Sequence, residues 1–132
     1  MRRNIYILIG VLFLLLIGIL YWKYNTRTLD YYTIDYQGAK EMIAKEKVII
    51  IDVRTEGEFK SGHIKGAINV PSTDIELGNL ESIPNKKAYY LIYCSSGTRS
   101  REAVKRLASF GYKRVYDFGS IKNWEEELIV EK

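Results

Sequence analysis

From Ile5 to Trp22 the chain runs 18 residues without a charge, and beyond residue 31 that uniform run gives way to short apolar clusters separated by polar stretches. The two patterns predict different structures. At about 1.5 Å per residue an 18-residue helix is about 27 Å long, close to the roughly 30 Å of a bilayer's hydrocarbon core, so residues 1–22 read as one membrane-spanning helix. Farther on, Val48-Ile49-Ile50-Ile51 and Ala88-Tyr89-Tyr90-Leu91-Ile92-Tyr93 read as strands buried on both faces. Ala67-Ile68-Asn69-Val70, stopped by Pro71, is a shorter strand, and Arg114-Val115-Tyr116 another. Residues 35–46 set Tyr36, Ala39, Met42 and Ile43 on one helical face, and residues 98–110 do the same with Ala103, Val104, Leu107 and Ala108, with Gly111 as C-cap. In the last segment Ile121, Trp124 and Leu128 recur at helical spacing, leaving Glu125, Glu126 and Glu127 as a solvated face. Strands alternating with helices predict an α/β domain over residues 32–132, a mostly parallel sheet covered by helices.

The flanks of the apolar run favour an anchor that stays in place. Arg2 and Arg3 precede it, Tyr21, Trp22 and Tyr24 stand where an aromatic belt would hold it, and no small-residue cleavage site follows Ile19-Leu20-Tyr21-Trp22-Lys23. Residues 23–31 are polar and serve as a tether. Lys23 and Arg27 nearly balance the charge before the helix, but a short basic tail ahead of an apolar segment is the arrangement of a signal anchor. The expected location is therefore the cell membrane, single-pass, with the folded domain on the extracytoplasmic side.

Composition narrows the chemistry. The chain of 132 residues carries a net charge of +4, but the part beyond the apolar run holds 18 basic against 16 acidic residues, too even a balance to suggest nucleic acid. One cysteine excludes an internal disulfide, and one histidine beside it excludes a Cys/His metal cage.

The candidate chemistry lies in Tyr93-Cys94-Ser95-Ser96-Gly97-Thr98-Arg99-Ser100, between the most hydrophobic strand and an amphipathic helix. In α/β sheets, ligands bind at the carboxyl ends of strands, where the next helix offers free N–H groups and the positive end of its dipole. A cysteine there is placed to act as a thiolate nucleophile. Ser95, Ser96, Gly97 and Thr98 are small enough for the backbone to curl its N–H groups around one anion, and Arg99 adds a fixed positive charge. The loop alone leaves a second reading open, in which Cys94 is a small core residue and its neighbours make a turn and a helix cap.

A second set of motifs bears on that choice. Ile51-Asp52-Val53-Arg54 followed by Phe59-Lys60-Ser61-Gly62-His63-Ile64-Lys65-Gly66-Ala67-Ile68-Asn69-Val70, and the later Gly119-Ser120-Ile121-Lys122-Asn123-Trp124, resemble the signatures of the rhodanese-like (sulfurtransferase) domain. With the cysteine loop, the resemblance covers roughly residues 33–130. It implies a parallel sheet of about five strands flanked by helices, with Cys94 as the sulfur-accepting nucleophile and Ser95, Ser96, Gly97, Thr98 and Arg99 as the cradle of its persulfide. It implies a small-molecule sulfur donor such as thiosulfate or a persulfide and a thiol or cyanide acceptor from outside, there being no second cysteine. No cofactor, metal or nucleic acid is implied. Lipid is met through residues 5–22, and the chain is expected to act as a monomer.

Spacing and local context sharpen the picture. Thiol phosphatases of the Cys-x5-Arg type place arginine six positions after cysteine; here that position is Ser100, and Arg99 comes at five. Ser95 stands where many thiosulfate-using members carry a basic residue, so a dianionic donor would lean on Arg99 and the loop amides. In the family pattern His63 belongs to a structural turn. Asp52 and Arg54 are expected to tie loops together, with Arg54 and Glu58 a candidate ion pair. Arg101 and Lys105 read as solvated surface, and Trp124 as core.

Overall fold

A computed structural model describes residues 1–25 and 31–132. The apolar run forms helix α1 (Arg2–Asn25), long and apolar enough to cross a membrane, with its side chains exposed from Arg2 to Tyr24. The helix takes in Lys23 and Tyr24 from the expected tether, whose residues 26–30 lie outside the described residues.

Every strand of the folded domain runs parallel to its neighbours. The sheet contains β1 (Tyr31–Thr33), β2 (Val48–Asp52), β3 (Ile68–Asn69), β4 (Tyr89–Cys94) and β5 (Arg114–Ser120) in the spatial order β1-β5-β4-β2-β3. Parallel strands need crossovers, and helices α2 (Tyr36–Lys45), α3 (Glu56–Ser61), α4 (Ser72–Leu77) and α5 (Thr98–Ser109) lie in them. β4 is central, and from Tyr90 to Cys94 every residue is buried. The pleat sends its side chains alternately into two cores. Tyr90, Ile92 and Cys94 join Ile51, Val53, Val104 and Leu107 on one side, while Leu91 and Tyr93 join Ala39, Met42, Phe59 and Phe118 on the other. Cys94 thus emerges on the face that α5 covers.

The expected α/β architecture is present, with three corrections of detail. First, β1 begins at Tyr31, inside the expected tether; three residues of polar and aromatic character carry too little pattern to read as a strand, and they gain it from pairing with β5. Second, the helix expected around Trp124 is a single 3-10 turn, Ile121–Asn123, followed by irregular chain with one antiparallel bridge between Ile129 and His63. The backbone N–H groups that a helix would use go elsewhere, from Ile129 to the His63 carbonyl at 2.8 Å and from Glu131 to the Lys60 carbonyl at 2.9 Å. Trp124 still packs as core, edge-on to Tyr36 and Phe118. Third, Arg54 does not pair with Glu58. It binds Asp52 two residues back, at 2.7 Å, because both side chains are buried where β2 ends and the Arg54 guanidinium also closes on the Gly62 carbonyl at 2.6 Å.

Helix α5 ends in a Schellman turn. Gly111, at φ 93°, lets its own N–H reach the Ala108 carbonyl and that of Tyr112 reach Leu107, which turns Tyr112 into the core.

Candidate active site

The loop from Cys94 to Ser100 closes on the cysteine sulfur. Gly97 N–H donates to Sγ at 3.0 Å and Ser100 N–H at 3.4 Å. Both groups belong to the start of α5, whose first N–H groups have no partner within the helix. No side chain at Gly97 caps the helix and no acidic residue stands in its first turn, so the sulfur occupies the acceptor position a capping oxygen would take. The turn requires Gly97 at φ 95°, left-handed backbone that a residue with a side chain would adopt only under strain.

A second strand braces this loop from below. Ser100 Oγ–H donates to Asp117 Oδ1 at 2.7 Å, and the same carboxylate oxygen accepts Gly119 N–H at 2.9 Å. Ser120 Oγ–H donates to the Ser95 carbonyl at 2.6 Å. Ser100, Asp117 and Ser120 were not among the expected site residues. The signal for Ser100 was available in its position, three residues into the helix, where an N–H must find a partner outside it. The signal for Asp117 was not, because it depends on how β5 registers beside β4.

The expected cradle residues divide. Gly97 is buried at the sulfur, Ser95 and Arg99 are half-buried, and Ser96 and Thr98 are exposed on the outside of the loop. Arg99 does not project freely over Cys94. Its guanidinium makes two bonds to the Glu58 carboxylate, at 2.8 and 3.0 Å, and a third to Ser95 Oγ at 2.7 Å. Glu58 is itself held at the start of α3, where its carboxylate accepts Thr55 N–H at 2.9 Å in a capping box. Arg99 first, and then Thr55 N–H, hold the Glu58 carboxyl down at about 2, and the same pairing raises Arg99 above the usual guanidinium value.

His63 takes no part in this cluster. Its Nδ1 bonds the Phe59 carbonyl at 3.0 Å and its ring stacks on Phe59. Tyr93, the residue before the cysteine, points to the opposite core, where its hydroxyl accepts Ile64 N–H at 3.1 Å and burial pushes its phenol above the ordinary range. Lys105 pairs with Glu102. Two clefts flank the start of α5. One of about 500 Å³ is lined by Ser72, Thr98, Arg99 and Arg106, and one of about 860 Å³ by Ser96, Arg101, Phe118 and Ser120. Cys94 is 0% exposed and lines neither. Among the described residues no group of His, Cys, Asp or Glu has the makings of a metal site.

A thiol ringed by backbone donors at the end of a parallel strand is suited to holding an anionic sulfur, and the family match agrees. The family model of the rhodanese-like domain covers residues 35–127. The chain belongs to the rhodanese-like family. Among relatives of this rhodanese-like chain is the thiosulfate sulfurtransferase PspE of Escherichia coli (strain K12), 32% identical over 73 residues, which are 55% of this chain and 70% of that protein. The tRNA uridine(34) hydroxylase of Acinetobacter baumannii (strain AYE) is 34% identical over 93 residues, 66% of this chain but 29% of the hydroxylase. The crystal structure of a rhodanese-like domain protein from Staphylococcus aureus superposes with a TM-score of 0.66 at 33% identity, covering 76% of this chain and 99% of that one. Proteins that share this domain thus carry names for more than one activity, and sulfur transfer is the one that PspE's name records.

Proposed function

We propose that this protein is a membrane-tethered sulfurtransferase that carries sulfane sulfur as a persulfide on Cys94. The observation that carries the reading is the convergence of Gly97 N–H and Ser100 N–H on Sγ at the end of the central strand. The same donors suit a persulfide sulfur; Ser95 and Arg99 would complete the rim of its cradle, and Ser96 and Thr98 would contribute through the backbone of the loop.

The reaction would run in two displacements. The Cys94 thiolate attacks the outer sulfur of thiosulfate; the donor's S–S bond breaks, sulfite leaves with the bonding pair, and a Cys94 persulfide remains. A thiolate or cyanide then attacks the outer sulfur of that persulfide, taking it as a new persulfide or as thiocyanate and returning the Cys94 thiolate. No proton or redox partner is needed. The chain has no second cysteine, so the acceptor comes from outside.

With the bounds that α1 and β1 set, residues 1–25 would be the anchor, 26–30 the tether and 31–132 the catalytic domain, held on the extracytoplasmic side. The apolar side chains of α1, exposed along its length, support the anchor, and the basic tail before it supports the orientation.

A second reading, a low-turnover sulfur carrier or docking module, draws support from the Glu58–Arg99 pair. The cation expected to meet a dianionic donor already has a carboxylate partner, and Ser95 brings no other charge. Intact-protein mass spectrometry of the detergent-purified chain separates the readings. Thiosulfate should add about 32 Da, cyanide should remove it, and Cys94→Ser should abolish the gain while leaving the fold intact. Rapid turnover with cyanide favours the enzyme, slow discharge of the persulfide favours the carrier, and no mass gain with thiosulfate or polysulfide removes sulfur transfer altogether.

A further inference from the structure

A sheet whose strands are all parallel has two unlike ends, and in this protein the chain's path assigns them to different surroundings. The carboxyl ends carry the Cys94 loop. The amino ends carry a row of cations, because Val48, Tyr89 and Arg114 are register partners across β2, β4 and β5, so the residues just before them fall side by side. Lys47 stands directly before β2 and Lys113 directly before β5, while Lys87 and Lys86 come two and three residues before β4, beyond Ala88; all four are exposed, the Lys86 ammonium donating to the Phe110 carbonyl at 2.7 Å, and Arg114 opens β5. Backbone contacts hold the row together. Lys113 N–H donates to the Lys86 carbonyl at 3.1 Å, and the Arg114 guanidinium donates to the Lys87 carbonyl at 2.7 Å while lying over the Tyr89 ring. On the sheet face beside the row, Tyr89, Tyr116 and the exposed Tyr32 stack in sequence from β4 to β1. Lys45, on the last turn of α2, adds a further cation, and the nearby acids include Glu46, Glu41, which is paired with Lys45, and Glu81, which shares a cleft with Lys86.

β1 enters the sheet at this same end. Only residues 26–30 separate Tyr31 from the end of α1 at Asn25, and a chain of that length reaches at most about 20 Å. If α1 is in a bilayer, the cationic row is confined to the neighbourhood of the lipid headgroups. Cations and tyrosines are the residue types that favour an anionic lipid surface.

We propose that the amino-terminal end of the sheet, with Lys47, Lys86, Lys87, Lys113 and Arg114, docks on anionic lipid headgroups. The proposal rests on the membrane-anchor reading above. It fixes the orientation of the domain: Cys94 lies about 17 Å farther along β4 than Tyr89, on the side away from the bilayer, so its donor and acceptor arrive from water rather than from the lipid phase.

The test uses the full chain reconstituted in nanodiscs of phosphatidylcholine alone or with phosphatidylglycerol, briefly exposed to an uncharged amine-acetylating reagent and read by peptide mass spectrometry. Lys47, Lys87 and Lys113 should label at least about threefold more slowly in the anionic discs. Lys122, two residues past Cys94's register partner Ser120, should be unaffected. In Lys47→Glu/Lys113→Glu, whose altered side chains have no polar partner among the described residues, Lys87 should lose its protection while persulfide formation stays at its original rate. Equal labelling in the two lipids, or protection that survives the double substitution, overturns headgroup docking and points to another occupant such as an acidic protein. The anchor reading then still stands if the chain stays in the discs and resists alkaline carbonate extraction. A chain that does not incorporate into discs overturns both.

Discussion

Two turns in this sheet occupy equivalent positions and are closed in different ways. β2 and β4 lie side by side and each runs directly into a helix, α3 or α5. The turn after β2 is closed by its own side chains: Asp52 and Arg54 pair at 2.7 Å with 0% and 8% of their side chains exposed, and Thr55 and Glu58 cap α3 reciprocally. The turn after β4 has no side-chain oxygen capping its helix, and the N–H groups of Gly97 and Ser100 meet a sulfur instead. Side chains that satisfy a helix start leave nothing for a ligand, whereas a sulfur that satisfies it can also react. The fold thus supplies two anion-favouring turns and fills one with structure. Glu58 joins them, capping α3 with one oxygen and reaching Arg99 of the cysteine loop with both.

The comparison breaks most severely at Arg54. Arg54→Ala leaves the Asp52 carboxylate buried with its charge uncompensated, and removing one partner of such a pair costs about 3–5 kcal/mol. The expected outcome is a large fall in the denaturant midpoint of the detergent-solubilised protein. Replacing both members, Asp52→Asn with Arg54→Met, should recover much of the loss, since no uncompensated charge then remains. A single substitution that costs less than about 1 kcal/mol would place Arg54 with the exposed pairs and remove the contrast between the two turns.

The smaller effects show why the site was only partly legible in the sequence. The apolar runs at 48–51 and 88–93 located the two central strands because burial on both faces leaves an unbroken hydrophobic signature, and Cys94 followed from standing at the end of the second. The loop's small residues and Gly97 were readable for the same local reason. The partners were not. Arg54 turns back to Asp52 because the burial of both side chains at the end of β2 leaves them each other as partners, and Glu58 crosses 41 positions to Arg99 because the tertiary fold brings the starts of α3 and α5 within reach; spacing along the chain encodes neither. The final segment misled because the helical spacing of Ile121, Trp124 and Leu128 also suits an irregular chain whose backbone bonds go to Lys60 and His63.

Glu58→Gln sharpens the link between the turns. It keeps the shape of the capping box and removes the charge that neutralises Arg99. A hydrogen bond to a charged group contributes about 1.5–3 kcal/mol, and after solvent screening of a pair about a third exposed, roughly 1 kcal/mol of it should become available to an anionic donor. The KM for thiosulfate should then fall about fivefold, with kcat little changed, in a sulfite-release assay. Arg99→Ala should raise the KM. Should Glu58→Gln raise it as well, Arg99 acts by tethering the loop to α3 and not as a charge for the donor.

The gentlest probe is acid. Arg99 and Thr55 N–H hold the Glu58 carboxyl at about 2, below the ordinary value of 4.5. A carboxyl depressed in the folded state binds fewer protons there than in the unfolded chain. Its contribution is therefore fully present above about pH 4.5 and disappears as pH falls toward 2. Glu58 and Arg99 are 37% and 34% exposed, so screening limits the contribution to at most about 1 kcal/mol. Denaturant midpoints measured from pH 5 down to 2.5 should decline more steeply for the unaltered protein than for Glu58→Gln, with the two curves converging at the acid end. Parallel curves would mean that Arg99 holds Glu58 no more tightly in the folded protein than water does in the unfolded chain. The turn after β2 would then be closed without help from the cysteine loop, and the two helix starts would be energetically independent despite their shared carboxylate.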